Sequence, residues 1–320
     1  MEPQPPQISV VVPTHNRRER LLALLDALDA QTLEPNRFEV IVVDDGSSDG
    51  TAAAVEARRG TAAHRLELLR SAQARGPAAG RNMGWRAATA QLVAFTDDDC
   101  EPAPRWLGEI LAAADAQPGE TAVQGRTEPI PRERDRIGVF TRTISVTRRG
   151  PWFQTCNMAY PRRLLVRLEG FEERYPAPGG EDTDLAWRAI EAGQDIVYAP
   201  AALVHHAVNE LGPIGKLRVA LRWTDAAWVF GRHPQLRGEC HWWLFWKPSH
   251  AKLLLGLAGL AAARRFPPAL VLALPWWREL VGRCNEIGAP RAAVPYLAVH
   301  DLLETFGAAR GAVRYRVPIL

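Results

Sequence analysis

The chain has 320 residues, of which 47% are hydrophobic and 23% charged, the make-up of an ordinary folded protein rather than a disordered one. That length suffices for one large α/β domain with an appendage, or for two smaller domains with separate cores. Its 39 basic and 36 acidic residues leave a formal charge of +3, too nearly balanced to demand a nucleic-acid partner.

Four cysteines, Cys100, Cys156, Cys240 and Cys284, are widely spaced and form no CxxC pair. They fit reduced thiols, and so a cytoplasmic location, better than a disulfide framework or a zinc site. The opening residues MEPQPPQ have neither a basic n-region nor an apolar h-region, so no secretory signal is recognisable.

Ile8 to Pro13 (ISVVVP) is a β-branched run ended by proline and predicts a buried parallel strand; Leu21, Leu24, Leu25 and Leu28 follow at helical spacing. Phe38 to Asp45 then predicts a strand, Asp49 to Arg59 a helix, Leu66 to Arg70 a strand, Pro77 to Ala90 a helix and Leu92 to Asp97 a strand. Strands alternating with helices lie parallel through right-handed crossovers, and such open sheets bind ligands beyond the carboxyl ends of their strands. From about Glu120 to Tyr160 the alternation weakens among Pro129, Pro131 and the arginines between Arg126 and Arg149, so this stretch is expected to be loop-rich. Glu181 to Ala192 predicts a helix with the stripe Leu185, Ala186, Ala189 and Ile190, and Gln194 to His206 predicts one or two strands. A first domain is expected to end near Val208, giving units of 1–208 and 209–320. In the second, Leu217 to Phe230 reads as helical, and His241 to Trp277 is dense in Trp, Leu and Ala.

The strand ends carry the acids. Asp44 and Asp45 close FEVIVVDD ahead of a Gly-Ser-Ser-Asp turn and helix cap, and Asp97, Asp98 and Asp99 close LVAFT. In an extended segment Asp97 and Asp99 share one side, where they can face a hard cation such as Mg²⁺ or Mn²⁺ and its phosphate ligands. A solvated turn cap explains three acids equally well.

The segments VVVPTHNR, VIVVDDGSSDGT, RGPAAGRNMGWRAA, FTDDDCEPAPRWL and GGEDTDLAWRAIEAG occur in the order typical of family-2 glycosyltransferases, which the chain resembles from about Ile8 to His206. Each motif is weak alone; the combination is specific. The resemblance implies the GT-A fold, an α/β open and mostly parallel sheet with flanking helices, here followed by a C-terminal helical extension. It also implies a nucleoside-diphosphate-sugar donor, a divalent cation and inversion at the anomeric carbon. It places Pro13 and His15 in the loop that holds the base, with His15 where tyrosine is commoner, and Asp45 against the base ring. The DxD-type motif falls on Asp97 to Asp99, with Asp99 as the metal ligand and its neighbours facing ribose and phosphate. Asp182 matches the catalytic base and Glu181 precedes it in the usual pair. His205 or His206 falls where some members supply a histidine to the metal.

Inverting sugar transfer needs one base opposite the leaving group to take the acceptor proton, which is a task for a single carboxylate such as Asp182. A helix start favours the anion and so lowers its basicity, whereas a nearby diphosphate raises it. Neighbours on a strand face opposite sides, so at most one of His205 and His206 reaches the metal; His206 is preferred. Arg75 and Arg81 flank Gly76 and Gly80 ahead of a helix, where basic side chains and helix amides can receive phosphate oxygens. They also suit an ordinary surface. Trp152 lies between the metal motif and the base, where it can stack a sugar ring or simply fill the core.

Leu253 to Ala263 and Phe266 to Trp277 are apolar runs separated by Arg264 and Arg265, and neither reaches the roughly 20 residues that a spanning helix needs. Trp242, Trp243, Trp246, Trp276 and Trp277 stand at their edges beside Lys247, Lys252, Arg264 and Arg278, as in an aromatic belt with basic headgroup contacts. Peripheral attachment to the anionic inner face of the cell membrane is therefore expected, bringing the enzyme to a lipid-linked or envelope glycan acceptor. A helical subdomain packing on the catalytic domain is the alternative. A sugar-nucleotide nucleotidyltransferase would carry a Gly-rich loop where this chain has PTHNR. A non-catalytic sugar-nucleotide-binding partner would have no need of Asp99 and Asp182.

Overall fold

The computed structural model describes residues 5–117, 119–174 and 179–320; of the opening MEPQPPQ, residues 1–4 lie outside the described residues. Contacts divide the chain into one unit of Met1–Glu133 with Thr143–Ala207 and another of Arg134–Arg142 with Val208–Leu320.

The first unit runs β1 (Ile8–Thr14), α1 (Arg18–Asp29), β2 (Phe38–Asp44), α2 (Thr51–Arg59), β3 (Arg65–Arg70), α3 (Pro77–Ala87), β4 (Leu92–Phe95), β5 (Cys100–Pro102), α4 (Trp106–Asp115) and β6 (Ala122–Pro129). After the short β7 (Thr141–Arg142) of the other unit it continues with β8 (Met158–Pro161), α5 (Arg162–Arg167), α6 (Glu181–Glu191) and β9 (Ile196–His206). One eight-stranded sheet has the order β3-β2-β1-β4-β8-β6-β9-β5. Every residue of β1 and β2 is buried, as the unbroken apolar runs require of strands covered on both faces. The β3-β2-β1-β4 half is parallel, with Ile8 opposite both Phe38 and Leu92. The other half is mixed: β8 runs antiparallel to β4 and β6, and β5 antiparallel to β9, while β6 and β9 are parallel. Helices flank the sheet, as expected, but its order is less parallel than the N-terminal alternation implies.

Leu21, Leu24, Leu25 and Leu28 of α1 are all at most 1% exposed, and each contributes about 1.5–3 kcal/mol of burial. The glycines of GRNMG serve packing. A Cβ on Gly84 would lie 2.4 Å from a Val11 methyl and one on Gly80 3.1 Å from the Pro13 ring, so both let α3 lie close against β1.

Two expectations change. The stretch expected to be loop-rich contains β6, a strand inside the sheet, which polar Gln124, Arg126 and Thr127 conceal from an apolar-pattern reading. The strand expected to reach Asp97 stops at Phe95, and the acidic triplet turns, with Cys100 N donating to the Asp97 carbonyl over 3.1 Å.

The second unit pairs β7 with β10 (Asn209–Glu210) and adds α7 (Gly212–Leu221), α8 (Trp223–Arg232), α9 (Pro248–Ala262), α10 (Leu274–Glu286) and α11 (Val294–Tyr315). The expected helix Leu217 to Phe230 is two helices that break at Arg222, where Arg222 N reaches back three residues to Val219. Gly311 of α11 lies against the Thr224 carbonyl, where a Cβ would be 2.3 Å away, which sets the close approach of α11 to α8.

Candidate active site

The acidic residues gather where the first four strands end. Thr14, at the end of β1, donates from Oγ1 to Asp98 over 2.8 Å. The loop after it is stitched to the one after β2. Asn16, in a left-handed conformation with φ 53°, accepts from Ser48 N at 2.8 Å, and its own N–H donates to Ser47 at 2.9 Å. His15 is exposed and its Nδ1 lies 2.8 Å from the Asp45 carbonyl. The buried Asp45 carboxylate accepts from Arg75 N and Gly76 N over 2.8–2.9 Å.

The backbone ahead of α3 receives the chain's own Asp45. Arg75 pairs with Glu173 over 2.7 Å. Arg81 lies within α3, is 5% exposed, and donates to Asp97 over 2.8 Å and Glu181 over 3.1 Å. Burial opposes its charge, yet Asp97 and Glu181 hold its pKa above the usual value, so it is a fixed cation.

Arg17, which the motif reading passes over, puts one nitrogen between two acids, 3.0 Å from Asp98 and 2.8 Å from Asp99. Because the triplet turns, Asp97 and Asp99 do not share one side of an extended segment: Asp97 pairs with Arg81, and Asp99 with Arg17 and His206. His206 Nε2 lies 3.6 Å from Asp99, while its Nδ1 faces the Ala207 carbonyl at 2.8 Å. His205 stands opposite Glu101 in the β5–β9 pairing, so His206 is the histidine beside the triplet. A carbonyl only accepts, so Nδ1 carries a hydrogen, and Nε2 is turned toward the Asp99 carboxylate, a nitrogen and an oxygen of the types that ligate a divalent ion. Cys100 lies within 4.8 Å of both, but burial, then its neighbour Cys156, holds its thiol protonated and unsuited to a hard cation.

Asp182 opens α6 beside Glu181, and its N-terminal dipole favours the anion. The balance runs the other way: burial first, then the Glu181 charge, push the Asp182 carboxyl well above the usual range, with Arg81 opposing. Burial likewise pushes Asp98 up to about 6, against Arg17. Trp152 is half-buried and holds α6 through its backbone, its carbonyl accepting from Thr183 Oγ1 over 2.7 Å. Asn82, also outside the motif reading, ties α3 to Phe171 by accepting from Phe171 N and donating to its carbonyl, both over 2.8 Å.

Removing Arg81 orphans two acids. Arg81→Met is expected to cost about 3–5 kcal/mol near pH 8, as for breaking a buried pair. The deficit should shrink toward pH 5, because without the cation burial favours the neutral acids in the folded state, and ionisation then destabilises it as pH rises. Urea unfolding at the two pH values checks this; wild-type stability at pH 8 would refute it.

Residues 9–173 match the family model described as Glycosyl transferase family 2. The chain is 30% identical over 222 residues to glycosyltransferase AglE of Haloferax volcanii, covering 66% of this chain and 70% of that protein. It is 31% identical over 270 residues to validoxylamine A glucosyltransferase of Streptomyces hygroscopicus subsp. limoneus, covering 74% of this chain and 59% of that one. Against the pre-mycofactocin glycosyltransferase of Mycobacterium tuberculosis it is 33% identical over 223 residues, and spans only 44% of that protein. The mannosyltransferase PcManGT of Pyrobaculum calidifontis, solved with GDP-Man and Mn²⁺, shares the fold at a TM-score of 0.59 with 23% identity, over 98% of this chain and 88% of that one.

Proposed function

The chain belongs to glycosyl transferase family 2, and we propose that it transfers a sugar from a nucleoside-diphosphate-sugar to a hydroxyl of a glycan or lipid-linked acceptor, with inversion. The observation that carries this is the charge of the cluster. Five acids, Asp97, Asp98, Asp99, Glu181 and Asp182, stand around Arg17 and Arg81 with His206 beside Asp99, an acid-rich cluster suited to a dication and its diphosphate. A divalent cation, Mg²⁺ or Mn²⁺, when held by Asp99 and His206, would supply the positive charge that stabilises the diphosphate leaving group. The comparisons favour neither the nucleotidyltransferase nor the non-catalytic alternative.

Pro13, the exposed His15 ring and Asp45 take the base, Asp45 being fixed by the Arg75 and Gly76 amides. Asp97 and Asp98 face ribose and phosphate. Trp152 borders the sugar pocket. Asp182 removes the acceptor hydroxyl proton as the acceptor oxygen bonds to the anomeric carbon, and the bond to the diphosphate oxygen breaks with its electron pair leaving on the diphosphate. A raised pKa makes Asp182 a stronger base than an exposed aspartate, and Glu181, anchored by Arg81, sustains that shift.

Among the described residues no helix is long and apolar enough to cross a membrane. We place peripheral attachment on the hairpin of α9 and α10. Gly256 and Gly259 press it together, and Phe266, Leu270, Val271 and Trp277 stand 50–62% exposed along it, beside Arg264 and Arg265. So contiguous an apolar surface marks an interaction site.

Three results test these assignments. Asp99→Ala should remove the Mn²⁺ dependence of nucleotide-sugar binding in thermal-shift titrations while leaving the unliganded melting temperature near wild type; unchanged dependence refutes the metal assignment. Asp182→Asn should keep donor binding and lower transfer by about 10²- to 10⁴-fold. The wild-type rate should rise with pH through a midpoint above the usual aspartate value of about 4, because only the ionised acid accepts a proton. Wild-type-like transfer by Asp182→Asn overturns the base assignment. Full-length protein should co-sediment with anionic liposomes, and Leu270→Glu with Val271→Glu should abolish this; wild-type protein that stays in the supernatant makes the hairpin a soluble element.

A further inference from the structure

The two cations of the acidic cluster are held in different ways. Arg81 is 5% exposed and divides its guanidinium between Asp97 and Glu181, which seals it in place. The Arg17 side chain is 46% exposed and meets Asp98 and Asp99 through Nη1 alone, at 3.0 and 2.8 Å. Those contacts use both Nη1 hydrogens and leave three of the five guanidinium donors, on Nη2 and Nε, to be used. The backbone around Arg17 is clamped: Asn16 N donates to Ser47 over 2.9 Å, Arg18 N to Asp49 over 3.0 Å, and the Arg17 carbonyl accepts from Leu21 N over 3.0 Å. A change of partner is therefore a rotation of one long side chain on a fixed base. Asp98 keeps a donor through that rotation, because Thr14 Oγ1 bonds its other oxygen over 2.8 Å.

Asp99 serves two neighbours with its two oxygens. Its Oδ2 accepts from Arg17, while Oδ1 lies 3.6 Å from His206 Nε2. A divalent ion held by Asp99 and His206 would share that one carboxylate with a guanidinium. Two cations on one acid repel, so the arginine weakens the hold on the ion and the ion loosens the arginine. A guanidinium fork fits phosphate oxygens as well as carboxylates, and a diphosphate is the acceptor that the same ion would bring to the cluster.

We propose that Arg17 couples cation binding to donor binding: it shields Asp99 from the divalent ion alone, and turns its guanidinium to the diphosphate when ion and nucleotide-sugar arrive together. The inference rests on the transfer reading above and adds to it a residue that the motif reading passes over. Coupling between sites is reciprocal, so an arginine that opposes the lone ion and favours the diphosphate moves the two affinities in opposite directions when it is removed. A purely structural role would weaken both.

The test titrates the full chain with Mn²⁺ alone, free Mn²⁺ being followed by electron paramagnetic resonance, and then with UDP and, separately, GDP in saturating Mn²⁺ by calorimetry. Arg17→Met should bind Mn²⁺ alone about tenfold tighter than wild type, and should bind the better of the two nucleotides about tenfold more weakly. Arg17→Lys keeps the charge and should bring both affinities back toward wild type. The side chain is half exposed, so the Met variant loses little packing, and Arg17→Gln serves the same comparison if it does not fold. Mn²⁺ affinity unchanged or lowered in the neutral variant, or nucleotide affinity unchanged, overturns the proposal. Asp99→Ala keeps the two layers apart: if wild type binds Mn²⁺ and a nucleotide and this variant loses the ion, the metal assignment stands even where Arg17 fails its test. If wild type binds neither probe, the assignment and the proposal fall together.

Discussion

Arg81 joins two motifs that are far apart in the chain, and the acidic cluster depends on that bridge. Gly80 and Gly84 allow α3 to lie against β1, and this close approach carries the Arg81 guanidinium to Asp97 after β4 and to Glu181 at the start of α6. Its central carbon also lies 5.6 Å from the centre of the Phe171 ring, whose backbone the Asn82 side chain holds by two bonds. A lysine would supply the charge but not the two-pronged geometry that grips two carboxylates at once. Packing glycines and a buried cation thus act together: without the first, the second would not reach.

The bridge also governs basicity. A carboxylate at a helix start is ordinarily stabilised as the anion by the helix dipole, an effect of about 0.3–1 kcal/mol. At Asp182 burial and the neighbouring Glu181 charge outweigh that, even though Arg81 pulls the other way. Asp182 therefore holds a proton more tightly than an exposed aspartate in the chain by itself. Arg17 plays a complementary part at Asp98 and Asp99, where its single nitrogen supplies some of the positive charge that the turn lacks.

What the sequence discloses follows from how locally each feature is encoded. Strands β1 and β2 are unbroken apolar runs and α1 has its leucines at helical spacing, so these elements were legible from pattern alone. The position of Asp97 to Asp99 was legible too, because open α/β sheets put their polar sites at strand ends, whereas Asp182, in the first turn of α6, was placed by the family resemblance. Strand β6 was not. Its sequence AVQGRTEP has no apolar period, and it holds its place through distant partners, with Asn157 donating to the carbonyls of Arg126 and Ala202 over 2.8–2.9 Å. The partners of Arg81, Arg75 and Asp45 were equally hidden, since a motif gives a residue's place in the chain but not the direction of its side chain. The break at Arg222 has no proline or glycine to announce it.

The second unit buries Asp301 and Glu304 against Arg283 and Lys247 while large apolar side chains on the α9–α10 hairpin stand exposed. Composition alone suggests an electrostatic attachment to membrane, through tryptophans beside basic residues. The exposed surface alters that balance. Phe266, Leu270, Val271 and Trp277 are already about half buried, so covering the rest would release about 1 kcal/mol each, whereas Arg264 and Arg265 would together gain roughly 2 kcal/mol at an anionic surface. The apolar contribution is the larger and salt does not screen it. The attachment proposed for this hairpin would therefore depend first on access to the acyl boundary and only second on headgroup charge, with the arginines a guide to orientation more than a source of affinity.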